Sequence, residues 1–88
     1  MRIVVVGAGE VGSNIAANLA DNHEVVVVDI DPERVESLTY SLDVLAVQGN
    51  GASVETLAEA DIGEADMLVA STDDDEINLV TCETAKTV

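Results

Sequence analysis

Three glycines near the amino terminus have a spacing that suits phosphate binding. They lie in the hexapeptide Gly7-Ala8-Gly9-Glu10-Val11-Gly12, which follows a run of branched apolar residues and opens a segment with helical spacing. In such a turn the first glycine permits a tight bend, the second lets a pyrophosphate approach the backbone, and the third lets helix and sheet pack closely. Free N–H groups and the positive end of the helix would hold the phosphates without a basic side chain. The hexapeptide therefore predicts a dinucleotide-binding turn.

An acidic residue ends the next apolar run. Asp29 follows Gly9 by about 20 residues, where a carboxylate accepts hydrogen bonds from the ribose hydroxyls of adenosine. Such a carboxylate would repel a 2′-phosphate, and no arginine directly follows it, so the sequence favours NAD over NADP. The alternative is a glycine turn and a strand-end acid that bind no ligand.

Another glycine-rich loop follows the third apolar run. Its residues, Gln48-Gly49-Asn50-Gly51, would lie at the carboxyl edge of a parallel sheet, where a backbone loop can wrap around a nucleotide base. The alternative is an ordinary turn, in which Gly and Asn supply positive φ angles. The sequence leaves both interpretations open.

Hydroxyl and acidic residues follow the fourth apolar run, in the order Ser71-Thr72-Asp73-Asp74-Asp75-Glu76. As structure, Ser71 or Thr72 would cap a helix whose dipole the acids favour. As function, the same hydroxyls would lie beside the crevice between the first and fourth strands, where a ligand binds. The two roles are compatible. Acids of this kind also suit Ca²⁺ or Mg²⁺, but we assign no metal site, and cation binding by Asp73–Glu76 stays open.

No catalytic pair accompanies these residues. A dehydrogenase needs a proton donor or acceptor held against its substrate, and usually a second region for that substrate. Tyr40 has no lysine four residues further along, and His23 is expected in a turn at the opposite ends of the strands. His23 also has no second His or Cys near it, so a zinc site has no support. We expect the chain to bind a dinucleotide without reacting with it.

The positions of these residues depend on a regular alternation of elements. The apolar runs are Ile3–Val6, Val25–Val28, Val44–Val47 and Met67–Ala70. They are continuous, which is typical of parallel strands covered on both faces, and segments with helical spacing separate them. One of these helices would begin at Pro32, which suits a first turn. The pattern predicts an α/β fold: a Rossmann-like doubly wound parallel sheet of four strand–helix pairs, with spatial strand order 3-2-1-4.

The last segment, residues 73–88, has apolar residues on more than one helix face. A helix with one apolar stripe needs one neighbour, whereas this one needs two. A doubly wound domain also normally continues to a fifth and a sixth strand. We therefore expect residues 1–88 to form one domain, truncated after the fourth strand and its helix: a fragment of a longer chain, or a subunit that a partner completes.

Acidic residues outnumber basic ones, 18 against three, and the formal net charge is −15. Nucleic acid and anionic membrane surfaces both attract cations, so neither is an expected partner. The acids are spread along the chain, and molar salt would screen their repulsion. This composition is typical of a halophilic archaeon's cytoplasm; the alternative is an acidic surface that serves solubility.

Cysteine content and hydropathy limit the cellular compartments in which this chain is expected. Cys82 is the only cysteine, so no intramolecular disulfide can form, and its simplest role is a small apolar residue on a helix. No apolar run approaches the roughly 20 residues that span a bilayer. We expect a cytoplasmic domain with no direct membrane insertion.

Several of these segments together resemble the N-terminal nucleotide-binding domain of TrkA-type potassium-uptake regulators, the RCK or KTN domains. The resemblance covers the whole chain. It rests on the Met1–Gly12 start, on Asp29 with the helix Pro32–Leu42, and on the VQGNGAS loop. Its most specific part is ADMLVASTDDDEINLVTCETAK, from Ala65 to Lys86.

The resemblance implies a regulatory domain without catalysis that binds NAD or NADH, or in some members ATP or ADP. It places Gly7 to Val11 around the pyrophosphate, Asp29 at the adenosine ribose, the Asn50-Gly51 loop near the adenine, and Ser71 to Asp73 near the second nucleotide half. The candidate cofactor-binding residues are thus Gly7, Ala8, Gly9, Glu10, Val11, Gly12, Asp29, Asn50, Gly51, Ser71, Thr72 and Asp73. Family members often have Asp at the position of Asn50.

The same resemblance implies a homodimer or higher oligomer, with subunit contacts through the helix Asp74–Thr87. It also implies a membrane potassium transporter subunit as partner, so that the domain would be peripheral to the inner face of the cell membrane. Ligand binding would change domain pairing and gate that partner. The alternatives are the N-terminal cofactor-binding fragment of an NAD-dependent dehydrogenase and a scaffold whose empty turn only supports dimerisation.

Overall fold

A computed structural model of the chain describes residues 1–72 together with Asn78, Thr81, Cys82 and Ala85. Its strands are β1 (Arg2–Val6), β2 (Glu24–Asp29), β3 (Leu45–Gln48) and β4 (Met67–Ala70). The helices between them are α1 (Glu10–Leu19), α2 (Pro32–Ser41) and α3 (Val54–Glu59), and a short 3-10 helix (Ile62–Glu64) precedes β4.

The predicted helix Asp74–Thr87 falls mostly outside the described residues. Asn78, Thr81, Cys82 and Ala85 are helical. The acidic run Asp73–Glu76 lies outside the described part of the chain, and so does the predicted site residue Asp73.

The four strands form one parallel sheet in the order β3-β2-β1-β4. Val4 of β1 lies between Val26 of β2 and Leu68 of β4, and Val27 is paired with Ala46 of β3. This is the predicted strand order, since right-handed crossovers to both sides of β1 allow little else. All strands therefore end at the same edge, with the ends of β1 and β4 adjacent.

The core consists of two apolar layers, one on each face of the sheet. On one face, Ile3, Val5, Val25 and Val27 pack with Ala16 of α1 and Leu38 of α2. On the other face, Val4, Val6, Val26 and Val28 pack with Leu57 of α3, Ala60 and Ile62. Successive side chains of a strand point to opposite faces, so a sheet covered on both faces needs uninterrupted apolar runs. The prediction from these runs is confirmed.

The ends of the elements differ from the prediction by one or two residues. β2 extends outward to Glu24 and Asp29, and β3 begins at Leu45 instead of Val44, which still packs against the core from outside the ladder. The start of α2 is as predicted, with Pro32 as its first residue. There the Asp31 carboxylate accepts a hydrogen bond from the Glu33 N–H at 2.9 Å, which caps the helix.

Candidate functional site

A cavity of about 240 Å³ opens at the carboxyl edge of the sheet. It is lined by the last residues of β1 and β2, by the segments that follow all four strands and by one residue of α2. These residues are Val6, Gly7, Gly9, Val28, Asp29, Ile30, Arg34, Gly49, Asn50, Gly51, Ser71 and Thr72. Parallel strands bring their carboxyl ends together, so segments distant in sequence meet here.

Seven of the predicted site residues line this cavity: Gly7, Gly9, Asp29, Asn50, Gly51, Ser71 and Thr72. The predicted residues Ala8, Glu10, Val11 and Gly12 belong to the same turn and to the start of α1, but they are not among the lining residues. Glu10 and Val11 are exposed, whereas Ala8 and Gly12 are buried behind the turn.

The glycine turn joins β1 to α1 at the mouth of the cavity. Gly7 has a φ of +108°, a conformation that side-chain-bearing residues rarely adopt, and its N–H donates to the Val28 carbonyl at 2.7 Å. At Gly12 a Cβ would overlap the Gly7 carbonyl oxygen and lie 2.9 Å from Ser71 Oγ. Both positions need glycine because the turn, α1 and the end of β4 are in contact.

Gly9 is different, because its glycine is not required by packing. Among the described residues, and apart from the chain neighbours of Gly9, only Nη1 of Arg34, at 3.8 Å, would lie within 4 Å of a Cβ built there. Gly9 is also the N-cap of α1, whose first N–H groups have no acceptor within the helix. A phosphate at this position would meet free N–H groups and the positive end of a ten-residue helix. The residues present therefore fit the pyrophosphate of a dinucleotide.

Asp29 is 7% exposed and its two carboxylate oxygens already have backbone partners. Oδ2 accepts from the Ala8 N–H at 2.6 Å, and Oδ1 accepts from the Asp31 N–H at 2.8 Å. The carboxylate therefore ties the glycine turn to the start of α2. Its predicted contact with ribose hydroxyls stays a prediction, and the sequence did not indicate this tie.

Arg34 lines the cavity but is absent from the predicted set. Its Nη1 lies 3.7 Å from Oδ2 of Asp29, and its Nε lies 3.8 Å from Oδ2 of Asp31. From the sequence, an arginine that could meet a 2′-phosphate was considered only at the position directly after Asp29. The signal that could have found Arg34 is Pro32, because a helix that begins there places Arg34 in its first turn, at the edge of the sheet.

The loop after β3 is shaped by an asparagine side chain. Asn50 Oδ1 accepts from the Ala52 N–H at 2.9 Å, and the Asn50 carbonyl accepts from the Ser53 N–H at 2.9 Å. Of the two interpretations left open for this loop, the ordinary turn lacks the positive φ angles that Gly and Asn would supply, since among the described residues φ is positive only at Gly7 and Asp61. Gly51 is needed for a different reason: a Cβ there would overlap Cγ1 of Val6.

The loop after β4 is held by contacts on both sides. Ser71 donates from its N–H at 2.8 Å and from its hydroxyl at 3.3 Å to the Val6 carbonyl of β1. The Thr72 N–H and hydroxyl both donate to Asn78 Oδ1, at 2.9 and 2.5 Å, and Asn78 Nδ2 donates to the Thr72 carbonyl at 3.1 Å. The predicted helix cap by Ser71 or Thr72 concerns N–H groups outside the described residues. Asn78 is a further residue that the sequence reasoning missed.

The residues considered for catalysis lie away from the cavity. The His23 N–H donates to the Leu19 carbonyl, and His23 lies with Met1 and Asp66 at the amino ends of the strands. Tyr40 is 84% exposed on α2 and does not line the cavity. In the part of the chain that the structure describes, no group of three or more His, Cys, Asp or Glu residues could hold a metal ion. That part also contains no helix with the length and apolarity that a membrane span requires.

The parallel sheet with strand order β3-β2-β1-β4, the glycine turn and the strand-end carboxylate place the chain among Rossmann-like α/β domains. Within that class the chain belongs to the TrkA-N domain family, whose model matches residues 3–88. It is 44% identical over 88 residues to a Trk system potassium uptake protein TrkA homolog of Archaeoglobus fulgidus, covering 20% of that protein. It is 46% identical over 88 residues to TrkA homolog 1 of Methanosarcina mazei, covering 21%. The chain thus spans about a fifth of the length of these relatives.

Solved structures show the same fold. The TrkA-N domain of the inner membrane protein ybaL from Escherichia coli matches with a TM-score of 0.89 and 28% identity, over 98% of this chain and 64% of that chain. The Kef CTD of Shewanella denitrificans in AMP-bound form matches with a TM-score of 0.83 and 19% identity, over 99% and 52%. A dTDP-glucose 4,6-dehydratase from Bacillus anthracis in complex with NAD has a TM-score of 0.69 and 24% identity, over 99% and 34%. At these identities the last two show the fold alone.

Proposed function

We propose that this domain binds NAD or NADH in the cavity and acts, without catalysis, as a ligand-sensing regulatory domain of a potassium transport system. The observation that carries the binding proposal is Gly9, where the backbone is open on the cavity side at the start of α1. The regulatory part is supported by the relatives, which are named as Trk system potassium uptake proteins.

The proposed binding mode uses the segments after all four strands. The pyrophosphate would lie over Gly7 to Val11, because the N–H groups of α1 are available there. The adenosine ribose would lie at Asp29, the adenine beside Ile30 and the Asn50-Gly51 loop, and the second nucleotide half near Ser71, Thr72 and Asp73. Ile30 is 68% exposed and lines the cavity, so an apolar surface is present for a base. ATP or ADP would use the same turn and could compete.

The contacts of the loop after β4 suggest how binding is transmitted. Ser71 and Thr72 line the cavity, and Thr72 is joined by three hydrogen bonds to Asn78 of the following helix. A ligand that contacts this loop would therefore also bias the position of Asn78. If that helix contacts a second subunit, as proposed for Asp74–Thr87, ligand binding would change domain pairing. A coupling free energy of about 1–3 kcal/mol is typical for such a link.

The proposed partners follow from this mechanism. The domain would form a homodimer or a higher oligomer, and it would act on a membrane potassium transporter subunit from the cytoplasmic side. The transporter assignment is supported by the names of the relatives, which are potassium uptake proteins about five times longer than this chain. The homodimer or higher oligomer is what the family resemblance implies.

The test is a titration of the chain with NADH, NAD, ATP and ADP in about 2 M KCl, where the Debye length is near or below 3 Å and the acidic surface is screened. Calorimetry measures binding, sedimentation measures association, and circular dichroism confirms that the chain is folded. We expect saturable binding that shifts the sedimentation coefficient. Binding without any change in association would contradict the sensing role, and a folded chain that binds none of the four would contradict the binding proposal.

A further inference from the structure

We propose that Arg34 is a specificity-determining residue that receives a phosphate on the adenosine ribose, so that the site accepts the 2′-phosphorylated dinucleotides NADP and NADPH as well as NAD and NADH. This inference rests on the proposed nucleotide binding at the same cavity. It differs from the preference for NAD over NADP that the sequence alone indicates, which depends on repulsion by the Asp29 carboxylate and on the absence of an arginine directly after it.

The position of the guanidinium supports this role. Arg34 lies between the residue proposed for the ribose and the turn proposed for the pyrophosphate. Its Nη1 is 3.7 Å from Oδ2 of Asp29 and would be 3.8 Å from a Cβ on Gly9. A group added to the ribose hydroxyls at Asp29 would therefore be within reach of a cation.

The guanidinium is also available. Its distances to the carboxylates of Asp29 and Asp31, 3.7 and 3.8 Å, are longer than hydrogen bonds, and the side chain is 49% exposed. An arginine has five N–H donors in a planar fork that matches a phosphate in a bidentate manner. Arg34 can therefore exchange a loose ion pair for charge-assisted hydrogen bonds without breaking a bond that the fold needs.

The Asp29 carboxylate keeps two hydrogen-bond donors when Arg34 moves away from it. It accepts two backbone N–H groups at 2.6 and 2.8 Å and is 7% exposed. These two backbone donors remain on the carboxylate when the Arg34 guanidinium turns to a phosphate. A 2′-phosphate still meets the negative charge of Asp29, and the guanidinium of Arg34, 3.7 Å from Oδ2, is the group that would offset this repulsion.

Charge and space around Arg34 agree with this assignment. Among the described residues, Arg34 is the only basic side chain that lines the cavity, while Arg2 is paired with Asp61 at 3.3 Å at the amino end of β1. On its other side Arg34 borders a cleft of about 320 Å³, which Ser37, Asp31 and Glu33 also line. A phosphate there would find one guanidinium and a hydroxyl, and the guanidinium would screen it from the two acids.

The experiment compares NAD with NADP, which differ only in the 2′-phosphate, for the chain and for Arg34→Gln. Adenosine 2′,5′-bisphosphate and 5′-AMP give the same comparison without the nicotinamide half. Arg2→Gln is the matched control, because it removes the same charge at the opposite edge of the sheet. Arg34→Lys keeps the positive charge but lacks the planar set of guanidinium donors, and it replaces Arg34→Gln in the comparison if that variant does not fold.

We expect the chain to bind NADP with a Kd within about tenfold of that for NAD. In Arg34→Gln, the Kd for NADP should rise at least about tenfold more than the Kd for NAD. The ratio of the two Kd values should be intermediate in Arg34→Lys and unchanged in Arg2→Gln. The inference would be overturned if Arg34→Gln leaves the ratio of the Kd values for NADP and NAD unchanged. This would be the result if the variant binds both ligands more weakly by the same factor, or if the parent chain already rejects NADP. In those cases NAD still binds and the proposed function stands. If the parent chain binds neither dinucleotide, the proposed function fails and the inference fails with it.

Discussion

At Gly9 and Gly12 the same residue type serves different purposes. Gly12 is fixed by contact, because a Cβ would overlap the Gly7 carbonyl oxygen. Gly9 has open space on the cavity side. Packing therefore explains Gly12 without reference to a ligand, whereas the described residues give no packing reason for Gly9, which agrees with the proposed approach of a phosphate.

A substitution at Gly9 should separate binding from folding. We expect Gly9→Ala to keep the melting temperature within a few degrees, because its backbone (φ −71°) is open to any residue and the nearest atom would lie at 3.8 Å. It should weaken dinucleotide binding by at least about tenfold, because the methyl group occupies the phosphate position. Calorimetric titration and thermal melts measure the two effects. Gly63→Ala, where a Cβ meets nothing within 4 Å, is the control and should change neither.

A substitution at Asp29 should reveal its structural role in the absence of ligand. In Asp29→Asn, one acceptor oxygen becomes an NH₂ donor that faces the N–H of Ala8 or Asp31. We expect a loss of about 1–3 kcal/mol in the free energy of unfolding, measured by urea denaturation. The control is Asp43→Asn, an exposed site that should change stability by less than about 0.5 kcal/mol. An equal, small effect at both sites would show that the tie between the turn and α2 is unimportant.

At the scale of elements, α2 links the glycine turn to the edge of the sheet. Its N-cap is Asp31, whose carboxylate accepts from the Glu33 N–H at 2.9 Å. We expect Asp31→Ala to lower the free energy of unfolding by about 1 kcal/mol, because one N–H of the first turn loses its acceptor. Asp31→Ser keeps an acceptor and should recover most of that loss in the same denaturation assay. Equal losses in the two variants would assign the effect to the ion pair with Arg34 instead of the cap.

The elements also show how far the sequence alone could lead. Continuous apolar runs predicted the strands because only a sheet covered on both faces buries every residue of Ile3–Val6, and right-handed crossovers then predicted their order. Chain position then predicted that Gly9, Asp29, Asn50 and Ser71 meet at one edge. These are consequences of topology, which short-range patterns determine well.

Contacts that depend on the angle between elements were not predictable in this way. Arg34 reaches the cavity because of the direction in which α2 leaves β2, and Asn78 reaches Thr72 because of the helix after β4. The conformation of the loop after β3 was left open by the sequence for a related reason. There the Asn50 side chain bonds to the Ala52 N–H and makes the turn, so positive φ angles are not required.

At the scale of the whole molecule, the net charge of −15 is the dominant feature. Self-repulsion of this size opposes a compact state, and salt reduces it as the Debye length falls from about 10 Å at 0.1 M to about 3 Å at 1 M. We therefore expect the melting temperature to rise with KCl up to roughly 2 M. A variant with Glu36→Gln, Glu59→Gln and Asp43→Asn, all exposed sites, should show a weaker rise. An equal rise in both proteins would assign the effect to salting-out of apolar surface, not to charge.

The two sides of the cavity are held differently. On the α2 side, the Asp29 carboxylate bonds to backbone groups of both the glycine turn and Asp31, so that wall is already in place when a ligand arrives. On the β4 side, Ser71 donates to the Val6 carbonyl of β1, and among the described residues the Asn78 side chain bonds to Thr72. The α2 side is thus held by bonds to the backbone of the glycine turn and of Asp31, whereas the bonds on the β4 side include those to the side chain of a helical residue, Asn78. If the proposed ligand binds here, we expect its adenosine end to leave the contacts of the α2 side unchanged and its far end to alter the contact between Thr72 and Asn78.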